Sequence, residues 1–179
     1  MLTIDCYAAL LAHLNVKRGE AIKNIILLPG MDFLDQEKWW VRGAWRCRPH
    51  EGVDVVCCAD DAGEKHFLGE GIKVPCLVSG EIVAICDDFL GKTIFVRGEE
   101  CSLGDIVAVH AHILTEARPG DRLATGEEIG MIAPTNGAVP AHLHLSLFRF
   151  STELPWRDID WKYLNACDGS LFLNPFAKQ

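Results

Sequence analysis

Between Ile72 and Phe150 the chain consists of short apolar, β-branched runs, "IKVPCLVSGEIVAI", "KTIFVRG", "GDIVAVHAHIL", "EIGMIA" and "AHLHLSLF", punctuated by Gly, Asp and Pro. That texture is the signature of an all-β barrel or sandwich. It constrains the fold more than any other feature, because no other stretch of the chain sustains a pattern over as many residues.

On the N-terminal side, Tyr7, Leu10, Leu11 and Leu14 follow helical spacing, so residues 3–15 are expected to form a short amphipathic helix that packs on the body. A Pro-Gly turn in "LLPGMDFLDQ" and an aromatic stretch, "KWWVRGAW", lead from there toward the β region. Beyond Phe150, "WRDIDWKYLNACDG" is expected to form a helix stopping near Gly169, with "LFLNPFAKQ" lying back on the body. The expected organisation is an N-terminal helical extension over 1–40, a β domain over 41–150 and a C-terminal extension over 151–179.

Composition narrows the class. The chain has 179 residues and is 49% hydrophobic, enough for a real core and against disorder. Lys plus Arg number 17 against 25 Asp plus Glu, for a net charge of -8, and no basic stripe occurs, which excludes nucleic acid as the expected partner. No apolar stretch approaches the roughly 20 residues of a membrane span. "MLTIDCYAALL" carries an early acid and no basic residue before its apolar run, so it does not read as a secretory signal. As written the chain is expected in the cytoplasm, and outside it only if exported by another route. The eight cysteines (6, 47, 57, 58, 76, 86, 101 and 167) lack CxxC spacing and are expected to be mostly reduced and buried.

The chemistry lies in the histidines. "RPHEGVDV" sets His50 four residues before Asp54, and His110/His112 and His142/His144 are two His-x-His pairs inside expected strands. Side chains at i and i+2 of a strand share a face, so His142 and His144 can address one pocket while Leu143 and Leu145 face the core. Alone, HxxxD is a polar turn before a strand. With the two pairs it becomes a metal-site pattern: His50, Asp54 and one histidine of 142/144 supply two imidazoles and a carboxylate, leaving a position open for water, as in catalytic zinc sites. The same donor set suits non-haem iron.

In their order along the chain, "RPHEGVDV", "PCLVSGEIVAI", "VHAHIL", "RPGDRLATGEEIGMIA", "AHLHLSLF" and "LFLNPFAKQ" resemble the lysostaphin/LytM-type zinc metalloendopeptidases over roughly residues 42–177. The resemblance implies a mostly β, antiparallel barrel-sandwich hybrid with a duplicated hybrid motif. It implies zinc held by His50, Asp54 and His144, and His112 and His142 as an unliganded catalytic pair that orients or deprotonates a zinc-activated water and hydrogen-bonds the oxyanion. The implied substrate is a peptidoglycan-type or glycine-containing peptide. Two departures stand out: His110 occupies a position where the family often has Tyr, and residues 55–71 form a longer connection than usual, expected to alter the groove wall. His66 on that connection and His13 on the helix are expected to be exposed rather than ligating, and Cys57 and Cys58 to be buried rather than metal-bound.

Three function classes follow. The first is a zinc metalloendopeptidase. The second is a catalytically inactive zinc-binding module of the same fold that regulates a partner. The third is a phosphocarrier resembling the glucose-specific enzyme IIA domain, which also has a His-x-Gly-x-Asp stretch; the third donor at His144 counts against it, since a phosphohistidine needs an imidazole free of metal.

Overall fold

The computed structural model describes residues 2–16, 22–99, 105–150, 156 and 159–176. Cys101 and, within the expected C-terminal extension, residues 151–155, 157–158 and 177–179 lie outside the described residues. The fold is mostly β, with antiparallel pairing and, among the described residues, two α-helices.

Helix α1 (Ile4–Asn15) starts at Thr3, whose side chain accepts the Cys6 amide, and buries Tyr7, Ala8 and Leu11. Its last residue, Asn15, is buried and works as a backbone mimic. Its Nδ2 donates to Leu11 O and Lys73 O, at 2.8 and 3.0 Å, and its Oδ1 accepts from Lys73 N at 2.9 Å. The helix thereby docks on strand β5 (Lys73–Pro75), whose Pro75 carbonyl also accepts from the Tyr7 hydroxyl.

Strands β1 (Asn24–Ile26), β3 (Cys57–Ala59) and β4 (Lys65–Phe67) make a small sheet in the order β1-β3-β4. The 55–71 connection is therefore a hairpin with a sheet of its own, and none of its residues lines the pocket described below, contrary to the expected change in the groove wall. The apolar faces of Cys58 and Leu68 anchor it in the core.

The larger sheet has as its spine β11 (Leu143–Arg149), β8 (Ile106–Leu114), β7 (Lys92–Gly98) and β6 (Gly80–Asp87), flanked by β12 (Phe172–Leu173) and β9 (Arg122–Leu123). Strand β2 (Gly52–Val55) pairs with β11, and β10 (Glu128–Ile132) with β5 and β8. Both faces of the spine are covered. One buries Ile82, Ile94, Ala108, Leu145 and Leu147 with α1; the other buries Phe95, Val107, Val109 and Phe148 beneath Ile159 and Leu164 of the C-terminal segment. Strands covered on both sides read as continuous apolar runs, as the sequence of β8 does. Helix α2 (Trp161–Ala166) is shorter than the sequence suggested: it begins at Asp160, which caps the Tyr163 amide, and ends at Cys167, two residues before Gly169.

Candidate active site

The register of two strands creates the centre. In the β2/β11 ladder Asp54 lies opposite His144, and directly opposed residues bring their side chains within contact distance. His50 enters from the turn before β2, held by backbone bonds from His50 N to Asp35 O and from Leu34 N to His50 O. The glycine between them is required by space. A Cβ on Gly52 would lie 2.2 Å from Leu145 O, 2.5 Å from Ser146 Oγ and 2.8 Å from His144 Nε2.

His50 Nε2, His144 Nδ1 and Asp54 Oδ1 converge. The separations are 3.2 Å between the two nitrogens, 3.2 Å from His50 Nε2 to Asp54 Oδ1 and 2.8 Å from His144 Nδ1 to Asp54 Oδ1. The outer nitrogens are committed elsewhere, His50 Nδ1 to Asp32 O at 3.1 Å and His144 Nε2 to Ser146 Oγ at 2.7 Å. A carbonyl can only accept, so His50 carries its proton on Nδ1 and turns a lone pair inward. With His144 donating to Ser146, three lone pairs face one point, and they repel unless a proton or a cation lies among them. Donors at about 2.0–2.1 Å from one tetrahedral ion stand ~3.3 Å apart, close to the observed spacing. The residues present therefore fit a divalent metal ion, and among the described residues they form the buried group of donors able to hold one.

The second oxygen of Asp54 faces away from the histidines. It accepts from Trp39 Nε1 at 2.8 Å and from Arg46 NH2 at 3.0 Å. Burial by itself would raise the Asp54 carboxyl, but where protons rather than a metal ion lie among the three donors, hydrogen bonds from protonated His144 and His50, and their charge, hold it well below the usual carboxylate range.

His112 and His142 stand beside this group, their rings 4.6 Å apart and that of His112 6.0 Å from His144. His142 precedes β11 rather than lying in it. Its Nδ1 is 2.8 Å from Pro140 O, and it is flanked by Trp39 edge-on and by Trp40 in a stack. Burial pushes the His142 imidazole down to about 4. His112 has a left-handed backbone, φ +65°, where β8 bulges: Lys92 pairs with Ile113 and Ile94 with His110, so Thr93 faces both Ala111 and His112. Its Nδ1 is 3.1 Å from Asp88 Oδ1. Although burial opposes it, the His112 contacts hold the Asp88 carboxyl far below the usual range.

A pocket of about 650 Å³ contains His50, Asp54, His112, His142 and His144, with Trp40, Phe89 and Trp161 among its walls. His110 is elsewhere. The bulge reverses the facing of β8, so His110, with Ala108 and Ile113, points into the main core, and its Nε2 accepts the Leu77 amide at 2.9 Å. The i, i+2 rule that predicts a shared face for His110 and His112 is broken by the left-handed residue between regular pairings. His110 is thus neither a metal donor nor a contact in the pocket.

Other sequence candidates also lie away from it. His13 is exposed on α1. Partly exposed His66 bonds Asp60 at 3.0 Å and, with Glu64, forms a surface group of donors. Cys57 is buried in β3, and burial pushes the Cys76 thiol up to about 11. Four residues that touch the histidines or Asp54 were given no role by the sequence: Arg46 and Asp88 belong to none of the recognisable motifs, and Trp39 in "KWWVRGAW" and Ser146 in "AHLHLSLF" sit within quoted stretches with nothing to single them out.

The sequence matches no family model and no curated protein. Among solved structures its fold is similar to that of LytU, with a TM-score of 0.54 and 14% identity over 87% of this chain and 85% of that one. It is similar to the catalytic domain of the antimicrobial peptidase lysostaphin from Staphylococcus simulans, with a TM-score of 0.52 and 19% identity over 82% of this chain and 86% of that domain. Against whole lysostaphin the TM-score is 0.46 at 20% identity, over 70% of this chain and 42% of lysostaphin.

Proposed function

We propose that this chain, which has the fold of the lysostaphin/LytM-type peptidases, is a zinc-dependent metalloendopeptidase acting on peptidoglycan-type or glycine-containing peptides. The observation that carries the reading is the convergence of His50 Nε2, Asp54 Oδ1 and His144 Nδ1 beside an unliganded pair of imidazoles in one pocket. The peptide class comes from the motif resemblance.

Zinc, when bound by His50, Asp54 and His144, supplies Lewis acidity toward a peptide carbonyl and a water molecule. The chain's own groups do the rest. His50 and His144 stay in the ligating tautomer through Asp32 O and Ser146 Oγ, and Arg46 and Trp39 occupy the outer oxygen of Asp54. Of His112 and His142, one accepts the proton of the attacking water and the other donates a hydrogen bond to the developing oxyanion. The accepted proton then passes to the leaving amine, so no covalent intermediate is required. Trp40, Phe89 and Trp161 limit water around the scissile bond.

The test is zinc content by elemental mass spectrometry together with hydrolysis of oligoglycine peptides and peptidoglycan fragments. The expected result is about one zinc per chain in wild type, lost in His50→Ala and His144→Ala, and retained without hydrolysis in His112→Ala and His142→Ala. Zinc-replete wild type that cleaves nothing would replace this reading with the regulatory module; metal-free wild type after zinc loading would remove both.

A further inference from the structure

Asp88 is joined to His112 by more than a turn requires. Its carboxylate is 1% exposed and is met by five donors. Oδ1 accepts from Leu90 N at 2.9 Å and Gly91 N at 2.8 Å, which closes the turn between β6 and β7. Those two bonds suffice to make a turn of Asp88–Gly91. The rest of the carboxylate goes to His112: Oδ1 lies 3.1 Å from Nδ1, and Oδ2 accepts the His112 backbone amide at 3.0 Å. Oδ2 also accepts from Thr93 Oγ1 at 2.8 Å, and that hydroxyl in turn accepts from Trp161 Nε1 at 2.7 Å.

We propose that Asp88, steadied by Thr93 and Trp161, is the positioning residue for His112: it holds the bulged backbone and the imidazole together, with the ring proton on Nδ1 and Nε2 left to the pocket. The warrant is geometric. A carboxylate only accepts, so a short contact to Nδ1 places the proton there. A non-glycine residue in the left-handed region persists only where its surroundings impose it. Asp88 supplies that constraint by binding main chain and side chain of the same residue. Among the described residues the Nδ1 of His142 meets no carboxylate but the Pro140 carbonyl, and Asp54 Oδ1 lies 3.7 Å from its other nitrogen, Nε2. Of the two pocket imidazoles, His112 is the one with a carboxylate behind it, the arrangement by which an acid orients a histidine in a hydrolytic triad. Trp161 extends the device to the C-terminal segment, for α2 reaches Asp88 through the two bonds of the Thr93 hydroxyl, and Asp88 in turn meets His112.

This inference rests on the peptidase reading for its kinetic consequence, but not for its structural one. The experiment is ¹⁵N imidazole correlation spectroscopy of His112, with steady-state kinetics, on zinc-loaded wild type, Asp88→Asn and Thr93→Val. Wild type is expected to show His112 protonated at Nδ1. In Asp88→Asn the Nε2-protonated tautomer is expected to appear, with zinc content and KM retained within about threefold and kcat reduced by roughly 10²–10⁴-fold. Thr93→Val, which leaves the turn intact, is expected to show the same tautomer mixing with a smaller fall in kcat. If Asp88→Asn does not fold, Thr93→Val carries the test alone. A wild-type His112 protonated at Nε2, or tautomer and kcat both unchanged in a folded variant, overturns the proposal. If wild type cleaves no peptide, the peptidase reading fails while the tautomer still decides the role of Asp88.

Discussion

At the scale of single residues, Asp54 shows how a metal-type centre is built into a β-ladder. One oxygen faces two imidazoles and the other is neutralised by Arg46 and Trp39, so the carboxylate is directional. Truncating Arg46 leaves a buried anion with one of its partners gone, and a ligating carboxylate whose outer oxygen is loose loses orientation. Arg46→Met is therefore expected to lower zinc affinity by about 10–100-fold while the β-ladder persists. Competition against a chromophoric chelator measures it, and unchanged affinity would mean that Trp39 alone fixes the carboxylate. None of this was visible in the sequence. Asp54 and the 142/144 pair are legible because strand spacing decides which side chains share a face, and the motif resemblance singles out His50 and His144, whereas Arg46 and Trp39 stand 8 and 15 residues from Asp54 on a segment whose path no short-range pattern dictates.

At the scale of elements, the sequence is read correctly where periodicity survives and wrongly where one residue interrupts it. Helix α1 was legible because Tyr7, Leu10 and Leu11 keep their spacing, and Leu143 and Leu145 were legible because β11 runs unbroken from 143 to 149. The left-handed His112 puts two residues of β8 opposite Thr93, and alternation counted through it assigns His110 to the wrong side. The strands inside the 55–71 connection are illegible because β3 and β4 have three residues each, too few for alternation to register. What secures α1 is likewise local. Asn15→Ala removes three hydrogen bonds and leaves the Lys73 amide without its partner, a loss of about 2 kcal/mol. Urea denaturation is expected to show that loss while zinc content stays at the wild-type level, because no residue of α1 lines the pocket. A fall in zinc content would instead tie the helix to the site.

At the scale of the whole molecule, the buried polar groups make stability depend on pH in one direction. His110 is fully buried, its Nε2 accepts the Leu77 amide and its Nδ1 meets no partner among the described residues, so protonation has nowhere to place a charge; burial pushes its imidazole down to about 3. An unfolded histidine titrates near 6.5. Between those values the unfolded chain binds a proton that the folded chain refuses. The stabilisation is thus complete above about pH 6.5 and is lost as the pH falls toward 3. Asp54 and Asp88, whose folded carboxyls are held low, act with the same sign but only below about pH 4, where the unfolded carboxyls begin to protonate. The two sets therefore occupy different windows, and the upper one holds His110 together with His142, whose imidazole burial pushes down to about 4. By pH 4.5 His110 costs on the order of 2–3 kcal/mol. His110→Gln keeps an acceptor for Leu77 N without a titrating ring, so its unfolding free energy is expected to fall by that much less than wild type's from pH 6.5 to 4.5, the fall that remains being that of His142. Parallel urea titrations at several pH values in this interval decide it: equal slopes in the two proteins would show that the acid sensitivity arises elsewhere, and a flattened slope would identify His110 as a residue whose charge the core excludes.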